Sequence, residues 1–265
     1  METGLKGKRV LVTGSTSGLG YGIAEAFIQE GSRVIINSGT EKNVTAAVKR
    51  LQEKYKNADV TGITADLTKL ADVNRLYDEA TRDGKLDVLV NNVGIFPVVP
   101  FAEITDEQWF HIYDVNVMSN VRLCRKALPD MLKANSGKII LISSEAGFRP
   151  NKDLIHYCVT KAAQLNLARG MAELTRGTKV TVNSVLPVTT WTEGIEKYLT
   201  SIAKRDGVTL EQAKINYFKS GNDSPSLLQR FLTVEEVAKT VIFAAYNDGI
   251  NGSSIAIDAG VTRVI

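Results

Sequence analysis

Cysteine and histidine are scarce in this chain of 265 residues, with two of each. Cys124 and Cys158 stand far apart and form no Cys-x-x-Cys pair, which argues against a disulfide scaffold or paired-thiol chemistry. Both fall in apolar helical patterns, where free cysteine behaves as a small buried hydrophobe. With only His111 and His156, and no acids clustered at ligand spacing, no metal site is expected. No apolar run approaches the length of a membrane span, and METGLKGKRVLV lacks the apolar stretch and cleavage site of a secretory leader. A reduced, soluble, cytoplasmic protein without a membrane partner is the expectation. Charge of one sign is missing too: 32 Lys and Arg against 29 Asp and Glu leave +3, with basic residues dispersed among acids. A nucleic-acid binder would carry a clustered basic face, so nucleic acid is not an expected partner. Prolines number six and read as loop or helix-end residues, apart from Pro129, which is expected to kink or end a helix.

What is present is an ordinary globular composition, 44% apolar and 23% charged, able to bury a sizeable core. Strand candidates are Arg9–Val12, Arg33–Ile36, Val60–Ala65, Asp87–Asn91, Lys138–Ser143, Val180–Val185 and Ser253–Asp258. They are near-continuous in Val and Ile, as strands covered on both faces are. Helical patterns lie between them, such as Val44, Ala47, Val48, Leu51 and Tyr55, then Val73, Leu76, Tyr77 and Ala80. Strand and helix in alternation imply right-handed crossovers and a parallel sheet. The expected fold is α/β: one doubly wound domain over residues 1–265, about seven parallel strands flanked by helices. Residues 189–232 are a long, helical and polar excursion before the last strand, expected to form a lid or binding element.

The first strand runs straight into TGSTSGLGYGIAEAF, with glycines at 14, 18 and 20. Such glycines let the backbone turn sharply and approach a ligand closely. A helix starting near Gly18 would offer free N–H groups and a positive dipole end to an anion. No Gly-Lys-Ser/Thr follows, which excludes a P-loop and favours a dinucleotide held by backbone. Farther along, Tyr157 and Lys161 in IHYCVTK are four residues apart and share a helix face, thirteen residues after Ser144.

TGSTSGLG, NNVG (Asn91–Gly94), Asn116 in DVNVMS, Ser144 and YCVTK occur in the order and spacing of the short-chain dehydrogenase/reductase family. The chain resembles that Rossmann-type family over essentially its whole length, and within it 3-oxoacyl-acyl-carrier-protein reductase-like members. The resemblance implies hydride exchange between NAD(P)(H) and a carbonyl or secondary alcohol. It makes Tyr157 the acid/base and gives Lys161 two tasks, lowering the Tyr157 pKa and holding the nicotinamide ribose. Ser144 would hydrogen-bond the substrate oxygen, and Asn116 would position a water for the proton relay; local satisfaction of a helix-interior polar group is the alternative for Asn116. On the cofactor side it implies Gly14, Thr16, Ser17, Gly18, Leu19 and Gly20 at the phosphates and Ser38, Gly39 and Thr40 at the end of the second strand. Asp66 and Leu67 would lie at the adenine, with helix capping a second role for Asp66. Asn92, Val93 and Gly94 would lie along the adenine ribose, and Pro187, Thr190 and Thr192 around the nicotinamide. Val188 stands where the family usually has glycine, so a different backbone path is expected there.

No acid at Ser38–Thr40 forbids a 2′-phosphate, and no arginine there or at Ser17 demands one. NADP is the expected cofactor, NAD the alternative, with Lys42 a candidate partner for the phosphate. Glu145, His156 and Trp191 are candidate substrate contacts; His111 reads as an ordinary helix residue. Trp191, Ile195, Tyr198, Leu199, Ile202, Tyr217 and Phe218 suggest either an apolar lid over a bulky acyl, steroid-like or polycyclic substrate, or lid helices packed on one another. The resemblance also implies a homotetramer or homodimer built through the helices after Trp109 and around Tyr157. A non-catalytic dinucleotide-sensing regulator on the same fold is the rival reading. It would show eroded catalytic positions, yet Asn116, Ser144, Tyr157 and Lys161 are all present.

Overall fold

The computed structural model of the chain describes residues 2–220 and 226–263. Seven strands form one parallel sheet: β1 (Arg9–Val12), β2 (Arg33–Ser38), β3 (Val60–Thr64), β4 (Val88–Asn91), β5 (Gly137–Ile142), β6 (Val180–Pro187) and β7 (Ser254–Ile257). Every strand pattern read in the sequence is present. Alternate residues leave the sheet on opposite faces: Val10, Val12, Val88 and Val90 enter one core, Leu11 and Leu89 the other. Both cores are apolar, which is why the strands read as continuous rather than alternating.

Helices α1 (Gly18–Gln29), α2 (Glu41–Lys54) and α9 (Val234–Tyr246) cover the first face. Helices α3 (Leu70–Thr81), α5 (Ser119–Lys133) and α6 (Ile155–Glu173) cover the second. Helix α4 (Asp106–Tyr113) runs through a π-helical turn at Asp114–Met118 into α5. Of the two outcomes expected at Pro129, a helix end is not seen, since α5 continues four residues beyond it to Lys133. Burial of Leu123, Cys124, Ala127, Leu128 and Met131 on one face offsets the hydrogen bond that proline removes.

The spatial order is β3-β2-β1-β4-β5-β6-β7. The chain builds outward from β1 to β3, then crosses back to β4, so the loops after β1 and β4 diverge. A crevice opens beyond their carboxyl ends, where ligands of such sheets bind. Helices α7 (Glu193–Asp206) and α8 (Leu210–Ser220) follow β6; residues 221–225 of the expected lid lie outside the described residues. Trp191, Tyr217, Phe218 and Phe231 interlock there, with ring centroids 4.8–5.3 Å apart. No helix of the described residues is long and apolar enough to cross a membrane.

Candidate active site

The crevice begins at the glycine loop. Gly14 and Gly18 take φ of +60° and +55°, the left-handed region that glycine tolerates, so β1 turns directly into α1. A Cβ on Gly20 would collide with the Gly14 carbonyl and the Asn92 amide, which makes this the tightest backbone approach in the loop. Thr13 and Asn92 tie the loop to the end of β4. The Thr13 hydroxyl accepts from the N–H groups of Asn92 (2.9 Å) and Val93 (3.2 Å), and Asn92 Nδ2 donates to the carbonyls of Thr13 and Gly14, both at 3.0 Å. Ser17 is the N-cap of α1 without a side-chain cap bond, and Leu19 packs on the core beneath the helix.

Gly14, Ser38, Gly39, Asp66, Leu67, Asn92, Val93 and Gly94, all among the expected cofactor contacts, line one cleft of about 290 Å³. Asn37 and Thr68 line it as well and were not foreseen. Asn37 Oδ1 is buried without a partner, an acceptor that suits an amine or hydroxyl of a nucleotide. Thr40 is the N-cap of α2. Asp66 accepts from the Thr68 N–H and hydroxyl at 3.1 and 2.7 Å, which hold its carboxyl below the ordinary value. The tight glycine approach, the first turn of α1 and the Asn37 acceptor fit a dinucleotide.

Just beyond the end of β5, two adjacent serines take opposite tasks. Ser143 is buried and donates to the Lys161 carbonyl at 2.9 Å, a structural tie. Ser144 donates to Glu145 at 2.5 Å and accepts from Ala146 N–H at 3.1 Å. Gly147 lets this turn lie against α6, since its Cβ would sit 2.9 Å from Leu165 Cδ1 and 3.1 Å from the Lys161 carbonyl carbon. Helix α6 carries Tyr157 and Lys161 one turn apart, with the Lys161 ammonium 5.4 Å from the Tyr157 ring centre. Phe96 meets the Tyr157 ring edge-on at 6.3 Å.

The π-helical turn presents Asn116 to this group, a distortion common at functional sites. Its Nδ2 donates to the Ile95 carbonyl (2.9 Å) and Thr160 Oγ1 (3.0 Å), while Oδ1 accepts from Ile95 N–H at 2.8 Å. The Asn116 side chain therefore clamps the loop after β4 to α6, the local satisfaction held open above.

Burial dominates the electrostatics. It pushes Tyr157 well above the ordinary value of about 10, with Glu145 adding to the rise and a Ser144 hydrogen bond opposing it. Burial also pulls Lys161 down to about 7, against the attraction of Glu145. Desolvation of the phenolate dominates at Tyr157, and the lowering by Lys161 expected from the sequence is not seen. Tyr157 is thus held protonated at neutral pH.

Several sequence-derived candidates lie elsewhere than expected. His156 is wholly buried, its ring 5.8 Å from Trp109 between α4 and α6, and does not reach the crevice. Neighbours on a helix point about 100° apart, so His156 turns toward Trp109 while Tyr157 turns toward Phe96. Trp191 packs on Phe231 under the Lys214 ammonium, 4.2 Å away, so its ring belongs to the lid interior. Val188 is buried at ordinary φ, its N–H donating to the Ile257 carbonyl at 3.1 Å, so the β6 pairing simply continues where glycine was usual. Pro187 ends β6, Thr190 is buried beside it, and Thr192 caps α7 with its hydroxyl at 3.4 Å from Ile195 N. A Cβ on Gly18 would lie 3.9 Å from Thr192, which brings the α7 start to the glycine loop. Both cysteines are buried, and burial pushes Cys124 up to about 12.

Two further residues, outside that cleft lining, also escaped the sequence reading. Arg50 reaches from α2 to donate to the Thr16 carbonyl at 3.2 Å, stacked 3.7 Å over the Tyr21 ring. Gln164 lies buried between Lys161 and Asn116.

A family model described as short chain dehydrogenase matches residues 8–201. The chain belongs to the short-chain dehydrogenase/reductase family. The uncharacterized oxidoreductase YvrD of Bacillus subtilis (strain 168) is 44% identical over 265 residues, 99% of either chain. The 3-oxoacyl-[acyl-carrier-protein] reductase FabG of Haemophilus influenzae is 31% identical over 97% of this chain and 99% of its own. The crystal structure of L-sorbose reductase from Gluconobacter frateurii, complexed with NADPH and L-sorbose, has a TM-score of 0.92 at 28% identity and covers 100% of each chain. The protein is an NAD(P)-dependent enzyme of this short-chain family.

Proposed function

We propose that the enzyme reduces the carbonyl of a small polar ketone with NADPH, using Tyr157 as the acid. The observation that carries the reading is the convergence of Ser144, Tyr157 and Lys161 next to Gly94, which lines the glycine-loop cleft and whose Cβ would lie 3.6 Å from Lys161 Nζ. When bound, the reduced nicotinamide supplies a hydride to the carbonyl carbon. Ser144 turns its hydroxyl from Glu145 to the carbonyl oxygen and fixes its position. Tyr157 gives its proton to the same oxygen, which completes the alcohol and leaves a phenolate. The Lys161 ammonium stabilises that phenolate, and proton transfer of this kind contributes about 10²–10⁴-fold.

A small polar substrate is favoured over a bulky one because Glu145 stands beside Ser144, while the lid rings pack on one another. Exposed Phe101, Phe110 and Tyr113 support assembly into dimers or tetramers through the α4 face. NADPH is favoured over NADH by the absence of an acid at Ser38–Thr40. The Arg50 guanidinium at Thr16 adds a cation with no carboxylate within 4.0 Å among the described residues. Fluorescence titration with both nucleotides tests this. NADPH should bind about tenfold more tightly, and Arg50→Ala should abolish that margin while leaving NADH binding unchanged. Tighter NADH binding by the wild type would refute the cofactor assignment.

A further inference from the structure

Gln164 lies three residues beyond Lys161 on α6, with no solvent exposure. Its Oε1 accepts from Lys161 Nζ at 3.1 Å, and its Nε2 donates to the Asn116 backbone carbonyl at 2.7 Å. That orientation is dictated from both sides, because a flipped amide would set donor against ammonium and acceptor against carbonyl. Asn120 Nδ2 donates to the same Asn116 oxygen. A carbonyl oxygen has two lone pairs, so side-chain amides take both.

Lys161 has three N–H protons, of which one goes to Gln164 and one to the Ile142 carbonyl at 3.0 Å. Around the ammonium, Tyr157 faces it from α6 and Glu145 from the turn after β5. Strand β5 presents only a carbonyl, the π-helical turn Asn116, and the loop after β4 Gly94, whose Cβ would lie 3.6 Å from Nζ. The third proton is left for the crevice side.

We propose that Gln164 is a positioning residue: its amide clamps Lys161 beneath Tyr157 and closes the route from the ammonium to Asn116. The inference rests on the Tyr157 proton-transfer reading. An amide oxygen accepts a hydrogen bond but does not pass a proton on at neutral pH. After each reduction the Tyr157 phenolate takes a proton through Lys161 from the crevice side alone, and Lys161 regains one by the same path. Asn116 then acts through its clamp and through Gln164, not through a water on its carbonyl.

A residue that merely glued α6 to the π-helical turn would leave the titration of Lys161 unmoved, so that titration is the test. Uncomplexed protein carrying ¹³Cε-lysine is titrated by NMR, with the Lys161 signal assigned by its loss in Lys161→Arg. Gln164→Leu keeps the volume and removes the acceptor, so the midpoint should fall by about one to two pH units. Gln164→Glu adds a carboxylate, and the midpoint should rise by about as much. If the leucine variant does not fold, the upward shift in the glutamate variant decides alone. Unmoved midpoints overturn the clamp. In parallel, NADPH-dependent reduction of ethyl acetoacetate should lose about tenfold in kcat in Gln164→Leu with KM held within about twofold. Shifted midpoints in an enzyme whose turnover does not need Tyr157 would overturn the proton-transfer reading and with it the role given to Gln164. Unmoved midpoints with Tyr157-dependent turnover would overturn the Gln164 inference alone.

Discussion

Asn116→Asp changes one atom and reverses the sense of two hydrogen bonds. Asn116 Nδ2 now donates to the Ile95 carbonyl and to Thr160 Oγ1, and a carboxylate oxygen there would face two acceptors. Thr160 cannot turn to help, since its own proton is donated to the Tyr157 carbonyl at 2.7 Å. Each acceptor left unpaired at this buried position costs about 1–3 kcal/mol. The retained Ile95 N–H bond and the nearby Lys161 offset part of the cost of burying a charge. The net loss should be about 3–5 kcal/mol at pH 8. An unfolding entropy of about 2.1 cal/mol/K per residue gives about 0.56 kcal/mol/K for the chain, so Tm should fall by about 5–9 °C. The sign of the pH dependence follows from burial. The folded carboxyl is raised above its unfolded value of about 3.9, so the penalty is full where it is ionised and shrinks as pH falls through the folded pKa. Thermal unfolding by circular dichroism at pH 8, 6.5 and 5 should therefore show the gap to wild type narrowing with acidity. A gap under about 2 °C at pH 8, or one that widens toward pH 5, would refute the clamp.

Two further expectations separate structural from chemical groups. Ser143→Ala should cost about 1 kcal/mol, or about 2 °C in Tm, and spare turnover within a few-fold, because it loses only the bond to the Lys161 carbonyl. Ser144→Ala should lower Tm by about 2–4 °C, since it loses the bonds to Glu145 and Ala146, and should lose about 10²-fold in turnover. Glu236 closes a capping box with Thr233 at the start of α9, and the Arg230 guanidinium holds its carboxyl down at about 2. Its contribution is fully present above the ordinary carboxylate value of 4.5 and is lost as pH falls toward 2. The stability gap between wild type and Glu236→Gln should thus be flat from pH 8 to 5 and close below it, as urea unfolding would report; a gap that widens on acidification would contradict the pairing.

The sheet was legible because its strands are buried on both faces, which leaves runs such as Arg9–Val12 and Lys138–Ser143 with no alternation to confuse. The glycine loop was legible for a related reason: Gly14 and Gly20 answer to local backbone geometry, which sequence records directly. Ser143 and Ser144 are adjacent in sequence and differ in their hydrogen bonds, one donating to the Lys161 carbonyl and the other to Glu145. His156 was open between substrate contact and packing, and it lies against Trp109 because neighbours along the chain diverge around a helix. Trp191 was open between substrate and packing, and its neighbours Phe231 and Lys214 come from distant segments. Gln164 and Arg50 act across 48 and 34 residues of sequence, on Asn116 and Thr16. The one local signal for Gln164 was a polar residue on the same helical face as Tyr157 and Lys161, at spacing i+7 and i+3. Arg50 carried none, since an exposed helix arginine reads as solvated surface.

The most direct test of the account is single-turnover transfer from NADPH deuterated at the transferring position, with ethyl acetoacetate as acceptor, in wild type and Tyr157→Phe. The account predicts deuterium on the carbinol carbon with wild type. It predicts a loss of at least about 10²-fold in the variant, with NADPH affinity within about twofold of wild type. Deuterium transfer by Tyr157→Phe at the wild-type rate would contradict the assignment of Tyr157 as the acid.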